Sequence, residues 1–204
     1  MRNPCTIIGA MCALLVTTAV RAEAPLLHIK LVHSDQQEEE TKQQLLRLLT
    51  AYDFSRYIFT TDINIESGLR VVPHSHPVLT LSTKRLKDDE LLLSTFVHEQ
   101  LHWYLDGKAD ATNEAVAELR TLFPHMPVGF PQGADSEASS YEHLLVCRME
   151  YQADSEILGS LRARQIMEFW ASDHYTRIYQ LVLTDGDKID AILRKHKLVP
   201  MART

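Results

Sequence analysis

The sequence predicts an α+β fold: a small twisted sheet in the N-terminal half, packed on one long helix, with a mostly helical second half. Three observations carry this. Short apolar runs of strand type occur only before residue 83. Capped segments of helical period follow from Asp88 onward. Residues 97–103, VHEQLHW, put two histidines four positions apart inside the first of those helices.

Residues 26–32 (LLHIKLV) read as a strand with Leu27, Ile29 and Leu31 on one face. Ser34 or Asp35 can cap the next helix, which runs to Tyr52; its acids Glu38, Glu39 and Glu40 suit a solvated first turn. Residues 57–65 (YIFTTDINI) alternate as a second strand, and Gly68 turns the chain. The segment PHSHP, residues 73–77, reads as a stiff exposed loop rather than a metal site, because its two prolines favour extended backbone. Residues 78–82 form a short strand feeding the next helix, and an edge strand there could pair with an extended peptide.

That helix spans residues 88–106, with Asp88, Asp89 and Glu90 at its start and Gly107 as its stop. A short helix over 113–123 ends at Pro124. Residues 124–135 (PHMPVGFPQGAD) make a long loop of the kind that walls a cleft or covers a core. Ser139 and Glu142 have the S-x-x-E form of a capping box, so a helix is expected from Ser139 to Leu158, stopped by Gly159. A helix over 161–183 and a last one from Asp187 complete the chain.

Residues 1–22 have the form of a cleavable signal peptide: Arg2, an apolar run too short to span a membrane comfortably, and small residues that place the cut after Ala22. The alternative is an uncleaved anchor. Cleavage leaves 182 residues, enough for one domain. It removes Arg2 and Arg21, so the chain's 21 basic side chains become 19 against 27 acidic ones, a net charge near −8. That balance argues against nucleic acid or an anionic membrane as partner. Cys5 and Cys12 leave too, so Cys147 has no intramolecular disulfide partner. The expected location is secreted or periplasmic.

Residues one helical turn apart lie above one another, so His98 and His102 can aim two imidazoles at one ion. Glu99, one position round from His98, can reach a metal-bound water. On the helix after Ser139, His143, Cys147, Glu150 and Asp154 fall on a single stripe.

HExxH at 98–102, followed by ExxxD at Glu150 and Asp154, 48 residues after His102, resembles the gluzincins, the thermolysin-like zinc metallopeptidases. The resemblance covers about a tenth of the chain, and this chain is much shorter than the larger gluzincins. A looser likeness, to small bacterial proteins with HEQLHW and HLxVxxxEY-type segments, says little about substrate. The resemblance implies a zincin-like fold, zinc on His98, His102 and Glu150, Glu99 as general base, and Asp154 holding a ligand histidine. His143 is the other candidate third ligand; with Glu150 in that place, His143 could stabilise an oxyanion. Tyr175 and His174 are further candidates for that role, with aromatic packing the ordinary reading of Tyr175. Cys147 reads as a buried filler.

The expected activity is zinc-dependent hydrolysis of a peptide or protein substrate. Two alternatives use the same residues: a zinc amidase or deacylase acting on cell-wall or other amides, and a non-catalytic exported metal-binding protein. The latter would close its site with a fourth ligand.

Overall fold

Residues 26–201 are described in a computed structural model of the protein. The leader expected over residues 1–22, with its cut after Ala22, lies outside them. The fold is α+β and mostly helical. Three parallel strands, β1 (His28–Leu31), β2 (Asp62–Glu66) and β3 (Leu79–Ser82), pair in the order β1-β2-β3. Ile63 faces Leu79 and Ile65 faces Leu81, all four buried, so these apolar pairs join the sheet to the core.

Helix α1 (Gln36–Ala51) connects β1 to β2, as a parallel pair requires. Asp35 caps it by accepting from Glu38 N–H at 2.9 Å. Glu38, expected on a solvated turn, is instead fully buried. Its carboxylate accepts the backbone N–H groups of His33 (2.9 Å), Ser34 (2.8 Å) and Ser67 (3.0 Å), and His33 Nδ1 lies 2.9 Å away. One side chain thus ties the ends of β1 and β2 to the start of α1.

The strand expected over 57–65 begins only at Asp62. The N–H groups of Phe59 and Thr60 go to Gln100 Oε1 at 2.6 and 2.8 Å, and Gln100 Nε2 donates to Thr60 O at 2.9 Å. These backbone groups are therefore satisfied by the HEQLH helix instead of a strand ladder.

Helix α2 (Asp89–Asp106) begins at Asp88, whose side chain accepts from Leu91 N–H. It runs through the middle of the molecule and is buried on almost every side, which is how a central helix behaves. Helix α3 (Ala109–Leu122) follows Gly107 after one residue, earlier than the expected start at 113. Helix α4 (Glu137–Leu158) crosses α2. Its cap is Ser136, which accepts from Ser139 N–H, so the S-x-x-E at 139–142 is not a capping box. Gly159, at φ +89°, turns the chain directly into α5 (Ser160–Asp173) with a backbone that a side chain would strain.

The single helix expected over 161–183 is two. It breaks at His174 and Tyr175, and Tyr175 is left-handed (φ 48°, ψ 36°) before α6 (Thr176–Thr184). Helix α7 (Gly186–Lys195) closes the fold. Among the described residues, no helix is long and apolar enough to cross a membrane.

Candidate metal centre

Helices α2 and α4 bring His98, His102 and His143 together. One ligand nitrogen from each lies within 4.8 Å of the other two, and the ring centroids are 4.8 to 5.6 Å apart. Each ring is held from behind through Nδ1. His98 Nδ1 lies 2.9 Å from Glu150 Oε2, and His102 Nδ1 lies 3.1 Å from Glu142 Oε1. His143 Nδ1 lies 2.8 Å from Ser139 O. Because each outer acceptor takes an Nδ1–H, every ring keeps Nε2 as a bare lone pair.

Burial, with each ring adding to the next, pushes His98 well below its ordinary pKa and His143 down to about 3. Neutral imidazoles are the form that binds a metal. Three imidazole nitrogens converging in a buried pocket therefore form a group that could hold a metal ion.

Glu150 is fully buried, and its oxygens are engaged elsewhere. Ser94 Oγ donates to Oε1 at 2.5 Å, Tyr179 Oη donates to Oε2 at 3.0 Å, and Oε2 also holds His98. Trp170 Nε1 fixes Ser94 in turn at 3.0 Å. Glu150 thus occupies the position behind a ligand histidine that the ExxxD resemblance assigns to Asp154. Asp154, one turn on, is fully buried, and neither of its oxygens accepts a hydrogen bond. Burial, then the charge of Glu150, pushes its pKa far up, so it sits as the neutral acid. Cys147 is buried on the same stripe, its thiol pushed up by burial, and with His98 and Glu150 it forms a second close group that shares His98.

Glu99 is buried yet lines a cavity of about 680 Å³ together with the three histidines. It makes no hydrogen bond among the described residues. Burial first, and Glu150 second, raise its carboxyl to about 7, against the pull of His102. Tyr175 packs at a tilt against His143 with centroids 4.5 Å apart, and His174 packs at a tilt against Tyr175 at 4.8 Å; both line the cavity. Tyr175 holds a left-handed backbone here, and a strained residue of this kind is commonly tied to function.

The 124–135 loop walls the cavity through Phe130, Gly133 and Asp135. It is tied down at several points. Pro131 O and Gln132 O accept from Thr176 and Arg177 N–H at the start of α6, and Ser140 Oγ donates to Pro127 O. At Gly133 a Cβ would lie 1.9 Å from Pro127 O, so glycine is required there. The opposite wall is the PHSHP loop. His76 stacks on Trp103 at 4.3 Å and pairs with Asp106, while His74 bridges Thr80 and lines the cavity. That loop is exposed at His74, His76 and Pro77, as expected, and these contacts also pin it beside the cavity.

Two residues of the site escaped the sequence reading. Glu142 carried a usable signal, an acid next to His143 on the ligand stripe, which the S-x-x-E pattern masked. Ser94 carried none, because a serine one turn before His98 has no local mark. Compared with protein-family models, curated proteins and solved structures, the chain gives no match. The site stands on its own geometry.

Proposed function

We propose that the protein is an exported zinc-dependent hydrolase acting on peptide bonds, with zinc on His98, His102 and His143. The observation that carries this is the orientation of three imidazoles, each anchored through Nδ1, with an unpaired buried carboxyl, Glu99, lining the same open cavity. Three protein ligands leave a coordination position vacant for water, the mark of a catalytic zinc site. Glu150 is then the partner that orients His98, and Glu142 does the same for His102. A zincin-like arrangement belongs to this proposal and is supported by an HExxH helix packed under the sheet and met by a later helix.

Zinc held there supplies a Lewis acid and lowers the pKa of water from about 16 towards 7. Glu99 takes the proton from the attacking water and delivers it to the leaving amine. Tyr175, kept neutral because burial raises its phenol, can donate to the oxygen that gains charge as the carbonyl is attacked. His143, as a ligand, no longer serves that role.

The test is metal analysis of the purified protein together with cleavage of a mixed peptide library, with and without chelator. One zinc per chain and chelator-sensitive cleavage are expected. A metal-free protein after zinc supplementation would overturn the site, and a zinc-loaded protein that cleaves nothing would leave a binding protein.

A further inference from the structure

The cavity is not electrically uniform. The 3-10 turn after β3, Thr83–Arg85, sends both Lys84 and Arg85 to its wall in a chain whose net charge is −6. The guanidinium carbon of Arg85 lies 4.8 Å from the Trp170 centroid and 5.2 Å from that of Phe169, two rings set at 72° to each other. Cation–π contact with two rings confines the guanidinium to this corner of the cavity wall and uses the faces of the rings, not its N–H donors.

Those donors make no hydrogen bond among the described residues. The nearest carboxylate oxygen, Asp173 Oδ2, lies 3.8 Å from Arg85 and is already the partner of His174 Nδ1 at 2.9 Å. Lys84 is exposed at the same wall and has no ion pair among the described residues. Of the other carboxylates lining the cavity, Glu99 and Glu150 belong with the histidines, and Asp135 lies near enough to Tyr175 to act on its phenol. A planar guanidinium whose one ion pair is long, next to a second cation, keeps donors for a carboxylate.

We propose that Arg85, seconded by Lys84, binds the free C-terminal carboxylate of the substrate, so that the protein cuts peptides near their C-terminal end. The inference rests on the hydrolase reading above. A sphere of the cavity's volume is about 11 Å across, the reach of about three extended residues. With the carboxylate on Arg85 and the attacked carbonyl at the histidines, the cut falls within about three residues of the terminus. A blocked or distant C-terminus loses this anchor.

The experiment uses the zinc-loaded protein and one mixed-sequence acetyl-pentapeptide library made in two forms, free acid and carboxamide, with the products read by mass spectrometry. The free-acid library should be cut within three residues of its end, and faster than the amide by about ten- to a hundredfold, the range of a charged bidentate contact. Arg85→Met, which keeps the bulk that stacks on Trp170, should bring the free-acid rate down to the wild-type amide rate through KM. Arg85→Lys should recover part of the difference, and Lys84→Met should reduce it less. Equal cleavage of both forms by the wild-type protein, or an Arg85→Met variant that keeps the preference, overturns the inference and leaves the hydrolase standing. No cleavage of either form overturns the hydrolase and this inference together.

Discussion

Among the described residues, two places gather metal-ligating side chains closely enough to suggest an ion: His33, Asp35 and Glu38 at the start of α1, and His98, His102 and His143, joined at His98 by Cys147 and Glu150, between α2 and α4. In the first, every strong acceptor is spent. Glu38 takes three backbone N–H groups and the His33 ring, and Asp35 caps the helix and accepts from Ser67 Oγ. In the second, partners are arranged on the outside of each ring, and the inward nitrogens are left with capacity. Proximity alone does not make a site; unspent coordination capacity facing a cavity does.

The electrostatics follow the same division. Burial works to raise Glu38, but its hydrogen bonds from Ser67, His33 and Ser34 outweigh it and hold the carboxyl below its ordinary 4.5. Glu99 has no such donors, and burial takes it up to about 7. One carboxylate holds elements together and the other is free to move a proton.

The sharpest way to break this contrast is at Glu99. Glu99→Gln should lower turnover by about 10²- to 10⁴-fold, the range for removing a general base, with zinc content unchanged. Metal analysis beside the rate would expose a structural role through a matching loss of zinc.

The next effect separates ligand from support. His143→Ala should strip zinc from the purified protein, whereas Glu150→Gln and Glu142→Gln should weaken zinc affinity by about 10- to 100-fold and keep the ion at saturating metal. Competition with a calibrated chelator reads both. Should Glu150→Gln lose the ion outright while His143→Ala retains it, the two residues exchange roles.

At the first cluster the prediction is the opposite: stability without chemistry. Glu38→Ala should cost about 1–3 kcal/mol by urea unfolding, since it removes the acceptor of three part-buried backbone N–H groups, and should leave zinc content alone. The lowered carboxyl also fixes a direction in pH. The contribution of Glu38 is fully present above 4.5 and is lost as pH falls through its folded-state value, because the unfolded chain takes up the proton first. The stability gap between wild type and Glu38→Gln should therefore narrow on going from pH 7 to below 4.5; a gap that widens would mean the buried group is not an anion.

The smallest effect concerns the pinned wall. His76→Ala removes a half-exposed pair with Asp106 and a stack on Trp103, and should cost at most about 1 kcal/mol. Faster backbone exchange around Ser75 and His76 would mark the loosening, and unchanged exchange would show that Trp103 Nε1, which donates to Ser75 O at 2.8 Å, holds the loop unaided.

Much of the fold was legible because its signals are local. Asp35 and Asp88 cap helices where the sequence places them, and β1 and β3 lie inside their expected ranges. Gly159 stops α4 as its lack of a side chain suggests. The misreadings share one cause. Phe59 and Thr60 have strand-like side chains, but their N–H groups are captured by a glutamine from another part of the chain. Residues 161–183 carry an unbroken helical period, yet the loop carbonyls of Pro131 and Gln132 receive the N–H groups of a new helix start at Thr176 and Arg177. Glu38 reads as one acid among three, and only the meeting of β1, β2 and α1 buries it.

The sequence by itself determined that His98, Glu99 and His102 share one helix and that His143, Cys147, Glu150 and Asp154 share a stripe of another, since helical period depends on spacing alone. Which members of that stripe face the histidine pair was decided by where α4 crosses α2. The crossing sets His143 level with the ring nitrogens and Glu150 behind His98. It is fixed by the packing of side chains far apart in the chain, and no local spacing encodes it.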